Sequence, residues 1–265
     1  MDPIAFTLGP IEVHWYGVLI AAAFLIGVWG TSRAARLQGI NEDYFLNLAI
    51  AAIICAILGA RLYYVAFEWE YYKTCSPLEW IAVWHGGLAI HGGILGGMLA
   101  VLGGCIIYKL RFWQLLDIFA PYLILGQAIG RWGNFFNQEA YGYEVSKVEV
   151  PWAMYIDGAY RHPTFLYESV WDILGFGFLM LASRSPRLKE GDIACLYFVY
   201  YSCGRFVIEN FRTDSLMLGP LRMAQVTSLV LTTVAVVVFL LRHKNAPSRA
   251  VYLERMKENK APKNK

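Results

Sequence analysis

Seven apolar runs follow one another along the chain, separated by short polar segments. Each run is long enough to cross a bilayer core of about 30 Å as a helix that rises about 1.5 Å per residue. The predicted spans cover residues 14–33, 44–67, 86–108, 113–135, 165–183, 192–212 and 223–241. The pattern therefore predicts an all-α integral membrane protein with seven transmembrane helices.

Positive charges flank these spans unevenly. Of the 23 Lys and Arg residues, 15 lie on one side of the predicted membrane, five lie on the other and three lie inside spans, with Arg33 and Arg212, the last residues of their spans, counted on the side where the span ends. Because Lys and Arg are enriched in cytoplasmic loops, the bias predicts an N-terminus outside and a C-terminus in the cytoplasm. The predicted organisation is a membrane domain over residues 1–242, with an active-site cavity in the outer leaflet, and a basic, solvated cytoplasmic tail over residues 243–265.

The composition supports a membrane protein and argues against nucleic acid, metal ions and cofactors as partners. Hydrophobic residues make up 57% of the chain and charged residues 16%, against about 25% charged in soluble domains. The net charge of +3 is small and the basic residues crowd at the C-terminus, so we expect no nucleic-acid partner. The five histidines and five cysteines lack the spacing of a ligand set, so we also expect no metal and no cofactor.

Polar side chains fall mainly in the predicted outer halves of the spans. A charge inside the bilayer costs several kcal/mol unless a partner, water or ligand meets it, so such residues mark a functional site. A secondary transporter would hold its substrate near the midplane between internal repeats, and we find no such repeat. The one-sided clustering favours an enzyme that acts on lipid head groups. The residues concerned are Tyr16, Arg61, His91, Arg131, Asn134, Glu168, Asp172, Arg205, Glu209 and Arg212.

The arginines of this group suit an anionic ligand. Arg205, Glu209 and Arg212 share one helix face at spacings of four and three residues, and an ion pair with Glu209 would account for one arginine. With Arg61 and Arg131 the cations exceed the carboxylates, and planar guanidinium groups bind phosphate in a bidentate manner. For Arg131 a second interpretation stays open, in which it snorkels to the interface above an aromatic belt.

His91 lies among paired glycines in the third span. Glycines at this spacing let another helix approach closely, and His91 could be a hydrogen-bonded packing residue of that face. The alternative is a neutral imidazole that acts as a base or positions a ligand. The long loop over residues 137–164 is rich in aromatics, which either anchor the interface or guide a peptide substrate along the membrane.

A signature at the end of the fourth span carries a resemblance. The run from Gly130 to Gly142 has the pattern Gly-Arg-x-Gly-Asn-Phe-x-Asn-x-Glu-x-x-Gly. It resembles the signature of the bacterial prolipoprotein diacylglyceryl transferases, with every fixed position filled. The resemblance extends from His14-Trp15-Tyr16-Gly17 through the segments 85–93 and 162–164 to the segment 204–209.

The resemblance implies a reaction and its partners. A transferase of this kind moves the diacylglyceryl group of phosphatidylglycerol to the lipobox cysteine thiol of a prolipoprotein signal peptide, forming a thioether and releasing glycerol phosphate. It implies a multi-pass protein of the bacterial plasma or inner membrane, in contact with membrane lipid. Two rivals stay open: a transporter or lipid-binding protein that makes no covalent change, and a hydrolase that cleaves the same head group with water.

The resemblance also assigns roles to residues of this chain. His91 is the expected base or thiol-orienting group, and Arg131 and Arg205 are expected to contact the phosphate; these three are the predicted catalytic residues. Arg61 joins the predicted substrate-binding residues because of its charge and depth. The other predicted substrate-binding residues are Tyr16, Arg131, Asn134, Asn137, Glu139, Gly142 and Glu209.

Overall fold

A computed structural model describes residues 2–9, 11–250 and 254 of the chain. Long helices occupy the predicted spans, and short helices and three antiparallel hairpins fill the connections. The α-helices are α1 (Trp15–Leu37), α2 (Glu42–Phe67), α3 (Trp69–Tyr72), α4 (Pro77–Trp80), α5 (Ile90–Ile107), α6 (Phe112–Asn137), α7 (Thr164–Ala182), α8 (Asp192–Ile208) and α9 (Met223–His243). The hairpins pair β1 (Ile4–Leu8) with β2 (Ile11–His14), β3 (Met154–Ile156) with β4 (Ala159–Arg161), and β5 (Met217–Leu218) with β6 (Leu221–Arg222).

Length and composition qualify five helices of the described chain as membrane spans: α1, α2, α6, α7 and α9. The apolar segment His91–Ile107 of α5 is shorter, because the predicted span from residue 86 opens with two glycines at positive φ, Gly86 and Gly87. Helix α8 has 17 residues and ends at Ile208, before a 3₁₀ turn over Glu209–Phe211. The structure thus shows a multi-pass helical protein, and the seven-span count stays a prediction.

The chain divides into two compact units. The larger unit comprises Met1–Thr31 and Leu116–Lys265, and the smaller unit comprises Ser32–Leu115.

Part of the core of the larger unit is formed by apolar side chains of α6, α7 and α8. Ile124 and Leu179 are fully buried and pack with Tyr197. Polar side chains tie the same helices together, since the Ser169 hydroxyl donates to the Ala128 carbonyl at 2.9 Å. These helices therefore form a tight bundle that fixes the side chains at their ends.

The smaller unit is built on the antiparallel packing of α2 against α5. The glycine-rich face of α5 lets the two backbones come close, as its sequence predicts. A Cβ on Gly92 would collide with the Gly59 carbonyl oxygen, and one on Gly96 would collide with the Cys55 carbonyl oxygen. The glycines of α5 therefore fix the axial position and the rotation of α5 relative to α2.

The start of the predicted basic tail is packed onto the larger unit. Arg249 is 5% exposed, and its guanidinium lies 2.6 Å from the Asp117 carboxylate, which also accepts from the Gly191 and Ala194 amides. Arg249 thus departs from the solvated tail that the sequence predicts, because a buried carboxylate pairs with it. Residues 251–253 and 255–265 of that tail lie outside the described residues, and the domain boundary at residue 242 stays a prediction.

Candidate active site

The arginine of the signature meets two other helices in the larger unit. Arg131 lies near the C-terminal end of α6, where its Nη1 is 2.8 Å from Oε2 of Glu168 in the first turns of α7. The other oxygen of Glu168 accepts from Nη1 of Arg205 on α8. The Glu168 side chain is 5% exposed, and those of Arg131 and Arg205 are 19% and 18% exposed. One buried carboxylate therefore holds two guanidinium groups that still reach the surface.

The network continues past the end of α8. Nη2 of Arg205 lies 2.7 Å from Glu209, one helical turn further on, as the spacing of four residues predicts. Arg212 lies 3.8 Å from Glu168 and makes a two-pronged contact to Asp214, at 3.0 and 2.7 Å. Arg212 thus joins the network to the segment that follows α8.

Each of the three arginines of this network has a carboxylate partner, whereas the sequence predicted a surplus of cations. Within the described residues, three guanidinium groups face three carboxylates in mutual contact: Arg131, Arg205 and Arg212 with Glu168, Glu209 and Asp214. Arg131 is paired with Glu168, and its position relative to the membrane interface stays a prediction. An arrangement of this kind holds its arginines in fixed positions.

Glu168 belongs to the polar residues predicted in the outer halves of the spans, but no catalytic or substrate-binding role was predicted for it. It is separated by 37 residues from both Arg131 and Arg205, so no helical spacing reveals either contact. Its sequence signal was its position at the start of the fifth span, at the same predicted depth as Arg131. Tyr201 was also missed; its hydroxyl accepts from Nη2 of Arg131 at 3.3 Å.

The polar end of the signature folds into a turn of its own. Nδ2 of Asn134 and Nδ2 of Asn137 donate to Oε1 of Glu139, at 2.9 and 3.3 Å. The Glu139 amide closes the turn by donating to the Asn134 carbonyl at 3.0 Å. The structure therefore brings three of the predicted substrate-binding residues together at the C-terminal end of α6, where they hold one another.

The glycines of the signature allow close contacts. A Cβ on Gly133 would clash with the ring of Tyr16, so this predicted site residue packs directly on the signature helix. A Cβ on Gly142 would lie 2.6 Å from the His162 Cβ, because the Gly142 amide donates to the His162 carbonyl at 2.9 Å. Gly142 also pairs with Arg212 as an antiparallel bridge, which ties the loop after α6 to the arginine network.

Arg61 lies in the smaller unit and has a different environment. Its side chain is 1% exposed, and its guanidinium donates to backbone carbonyls of the segment between α3 and α5. It also lies over the ring of Tyr72, 5.1 Å from the centroid. All three guanidinium nitrogens, which the sequence predicted would bind a substrate anion, therefore donate to backbone carbonyls instead.

His91 also lies in the smaller unit, in the first turn of α5. The residue is exposed, and its ring centroid is 6.0 Å from that of Tyr63 on α2. Such exposure suits a group that meets a substrate better than a buried packing histidine. Among the described residues, no group of three or more His, Cys, Asp or Glu is placed to hold a metal ion.

Known proteins resemble the chain over nearly its whole length. The family model described as prolipoprotein diacylglyceryl transferase matches residues 3–241. Three similar relatives carry the name phosphatidylglycerol–prolipoprotein diacylglyceryl transferase: those of Bacillus mycoides (strain KBAB4), Bacillus cereus (strain Q1) and Bacillus cytotoxicus, at 48%, 47% and 46% identity. Each alignment covers 96% of this chain and 97% of the relative.

Proposed function

The chain belongs to the prolipoprotein diacylglyceryl transferase family, and on this premise we propose that its Arg131–Glu168–Arg205 network holds the phosphate of phosphatidylglycerol while the diacylglyceryl group leaves. The enzyme is a membrane transferase of lipoprotein maturation. The acceptor in the proposal is the thiol of a lipobox cysteine in a prolipoprotein signal peptide.

The proposed reaction exchanges one bond to carbon for another. The thiol gives its proton to a base, for which His91 is the candidate, and its sulfur attacks the diacylglyceryl carbon that carries the phosphate oxygen. A carbon–sulfur bond forms, the carbon–oxygen bond breaks, and glycerol phosphate leaves with the bonding electrons. Negative charge therefore grows on the phosphate group as the reaction proceeds, and donors fixed in advance at that position lower the barrier.

The shared carboxylate of Glu168 is the observation that supports this assignment. It fixes one Nη of Arg131 and one of Arg205, and within the described part of the chain the other polar contacts of these two groups are to Tyr201 and Glu209. Each guanidinium carries five N–H donors, so donors remain for phosphate oxygens. A pair of arginines held in this way can bind a phosphate with little reorganisation.

His91 is the proposed base, or the group that orients the thiol. A cysteine thiol has a pKa of about 8.5 and is mostly protonated near neutral pH, so an exposed imidazole would raise the fraction of reactive thiolate. The exposure of His91 in the first turn of α5 supports this role.

We place the reaction in the outer leaflet of the bacterial plasma membrane. The bias of Lys and Arg favours seven spans with the N-terminus outside and the C-terminus in the cytoplasm. In that orientation the C-terminal ends of α6 and α8 and the N-terminal end of α7, which carry the arginine network, face outward. A prolipoprotein anchored by its signal peptide would present its cysteine at this level.

The test is a direct assay of transfer. The purified protein is incubated in detergent with phosphatidylglycerol and a peptide containing a lipobox cysteine, and the peptide mass is measured. The proposal predicts a gain of one diacylglyceryl group and the release of glycerol phosphate. Loss of the lipid head group with an unchanged peptide would instead indicate a hydrolase, and lipid binding without either product would indicate a carrier.

A further inference from the structure

Arg61 is the hub of the segment that leads to His91. Nε donates to the Trp80 carbonyl at 3.3 Å and Nη2 to the Glu79 carbonyl at 2.7 Å. Nη1 donates to the Gly86 and Gly87 carbonyls, at 2.5 and 3.3 Å. Every nitrogen of the guanidinium therefore binds a backbone oxygen of the same segment.

This arrangement needs an arginine. The guanidinium presents donors on three nitrogens in a rigid plane, which lets one side chain reach both ends of the segment. The carboxylate of Glu79 lies 3.9 Å from Nη2 and offsets the buried charge. A lysine would keep the charge but could not reach all four carbonyls, so part of the segment would lose its contact with the side chain.

Gly86 and Gly87, at the end of the segment, leave room for the Arg61 guanidinium. Gly86 and Gly87 have φ of +77° and +66°, a conformation that residues with a Cβ rarely adopt. A Cβ on Gly87 would lie 2.7 Å from Nη1 of Arg61 and 2.7 Å from the ring of Tyr64. The turn that carries both accepting carbonyls is therefore shaped to the guanidinium.

The position of the segment that Arg61 binds determines where α5 begins, and His91 lies close to that start. The Ala89 amide donates to the carbonyl of Ala60, next to Arg61, at 3.0 Å. Ala89 is the N-cap of α5, so His91 follows it by two residues. Close packing of Gly92 on Gly59 fixes the next turn of the helix. Arg61 and this packing together determine where the imidazole lies.

We propose that Arg61 is a positioning residue that places His91 for thiol activation, rather than a ligand of the lipid phosphate. The inference rests on the proposed role of His91. It predicts that Arg61 acts through His91, so the fold-losses in rate caused by changing the two residues should not multiply.

The test is a double-mutant cycle of Arg61→Lys and His91→Asn, measured as the transfer rate at several pH values. Removing a general base costs about 10²- to 10⁴-fold, and we expect Arg61→Lys to slow transfer at neutral pH by at least about tenfold for the same reason. The double variant should be no more than about twofold slower than His91→Asn. Both single variants should regain rate as the pH approaches about 8.5, where the thiol ionises unaided.

A second variant approaches the contact from the other side. Gly87→Ala leaves Arg61 in place but pushes on Nη1, and it should reproduce the pH dependence of Arg61→Lys and the non-additivity with His91→Asn. Arg36→Lys is the matched control, since this exposed arginine lies 3.5 Å from Glu42 in the same unit. It should leave both the rate and its pH profile unchanged. The thermal unfolding midpoint of each variant shows whether a loss of rate comes from misfolding of the protein or from a misplaced His91 in a folded protein.

Two results would overturn the proposal. If the fold-losses of Arg61→Lys, or of Gly87→Ala when Arg61→Lys fails to fold, multiply with that of His91→Asn, Arg61 acts independently of His91. If His91→Asn is fully active, there is no base to position, and the proposed role of His91 fails with it. The single variant reports that second failure, so the two are distinguishable.

Discussion

Replacing Arg131 by lysine keeps the charge of the network and removes its geometry. The guanidinium reaches Glu168 with Nη1 and Tyr201 with Nη2, which leaves further donors for a phosphate. A lysine ammonium that keeps the contact to Glu168 has no planar fork to offer the substrate. Losing one charge-assisted hydrogen bond of about 1.5–3 kcal/mol in the transition state corresponds to a rate loss of about 10- to 150-fold.

The assay measures the steady-state rate at which the diacylglyceryl group is transferred from phosphatidylglycerol to a lipobox peptide in mixed micelles. Because the contact strengthens as charge develops on the phosphate, we expect the loss mainly in kcat, with KM changed less. Arg36→Lys is the control and should stay within about twofold of wild type, because exposed ion pairs contribute little. Wild-type kcat/KM in Arg131→Lys, at equal yield and thermal midpoint, would refute bidentate recognition by this residue.

Three further predictions address the network, the loop and the topology. Glu168→Gln should lower the free energy of unfolding by about 3 kcal/mol, because it leaves two partly buried guanidinium groups without their shared, buried carboxylate; thermal and denaturant unfolding in detergent measure this. Gly142→Ala should cost about 1–3 kcal/mol and slow transfer, because its Cβ would lie 2.7 Å from a backbone carbonyl oxygen. A cysteine at Lys189 should resist an impermeant thiol reagent in intact cells, since the charge bias places this loop in the cytoplasm.

Each of these predictions has a control in the chain. Asp214→Asn, at a carboxylate whose side chain is 48% exposed, should destabilise less than Glu168→Gln; an equal loss would contradict the burial argument. Gly126→Ala adds a Cβ where no atom lies within 4 Å, so it should be tolerated, and an equal effect would remove the special role of Gly142. A cysteine at Lys147 should react from outside, and the reverse labelling pattern would invert the topology.

The helices were predictable because long apolar runs leave few alternatives for the backbone. Predicted and observed ends differ by at most four residues, and the differences have local causes. Helix α5 starts at Ile90 because Gly86 and Gly87 form a turn at positive φ. The hairpins escaped prediction because strands of two to five residues carry too little alternation to be recognised.

The site was predictable only where its contacts are local. The Arg205–Glu209 pair follows from a spacing of four residues, and the structure places the two groups 2.7 Å apart. Glu168 could not be assigned to Arg131, because the contact joins different helices. Arg61 was assigned to the substrate from its charge and depth, but the sequence does not show that backbone carbonyls occupy its donors.

The central claim is that the arginines around Glu168 hold the lipid phosphate, and lipid binding in the absence of peptide tests it most directly. Native mass spectrometry of the wild type and of the Arg131→Lys/Arg205→Lys double variant would compare phosphatidylglycerol with a diacylglycerol that has the same acyl chains and no phosphate. We predict that the wild type prefers phosphatidylglycerol by at least about tenfold and that the double variant loses this preference while still binding diacylglycerol. Equal preference for phosphatidylglycerol in both proteins would contradict the assignment.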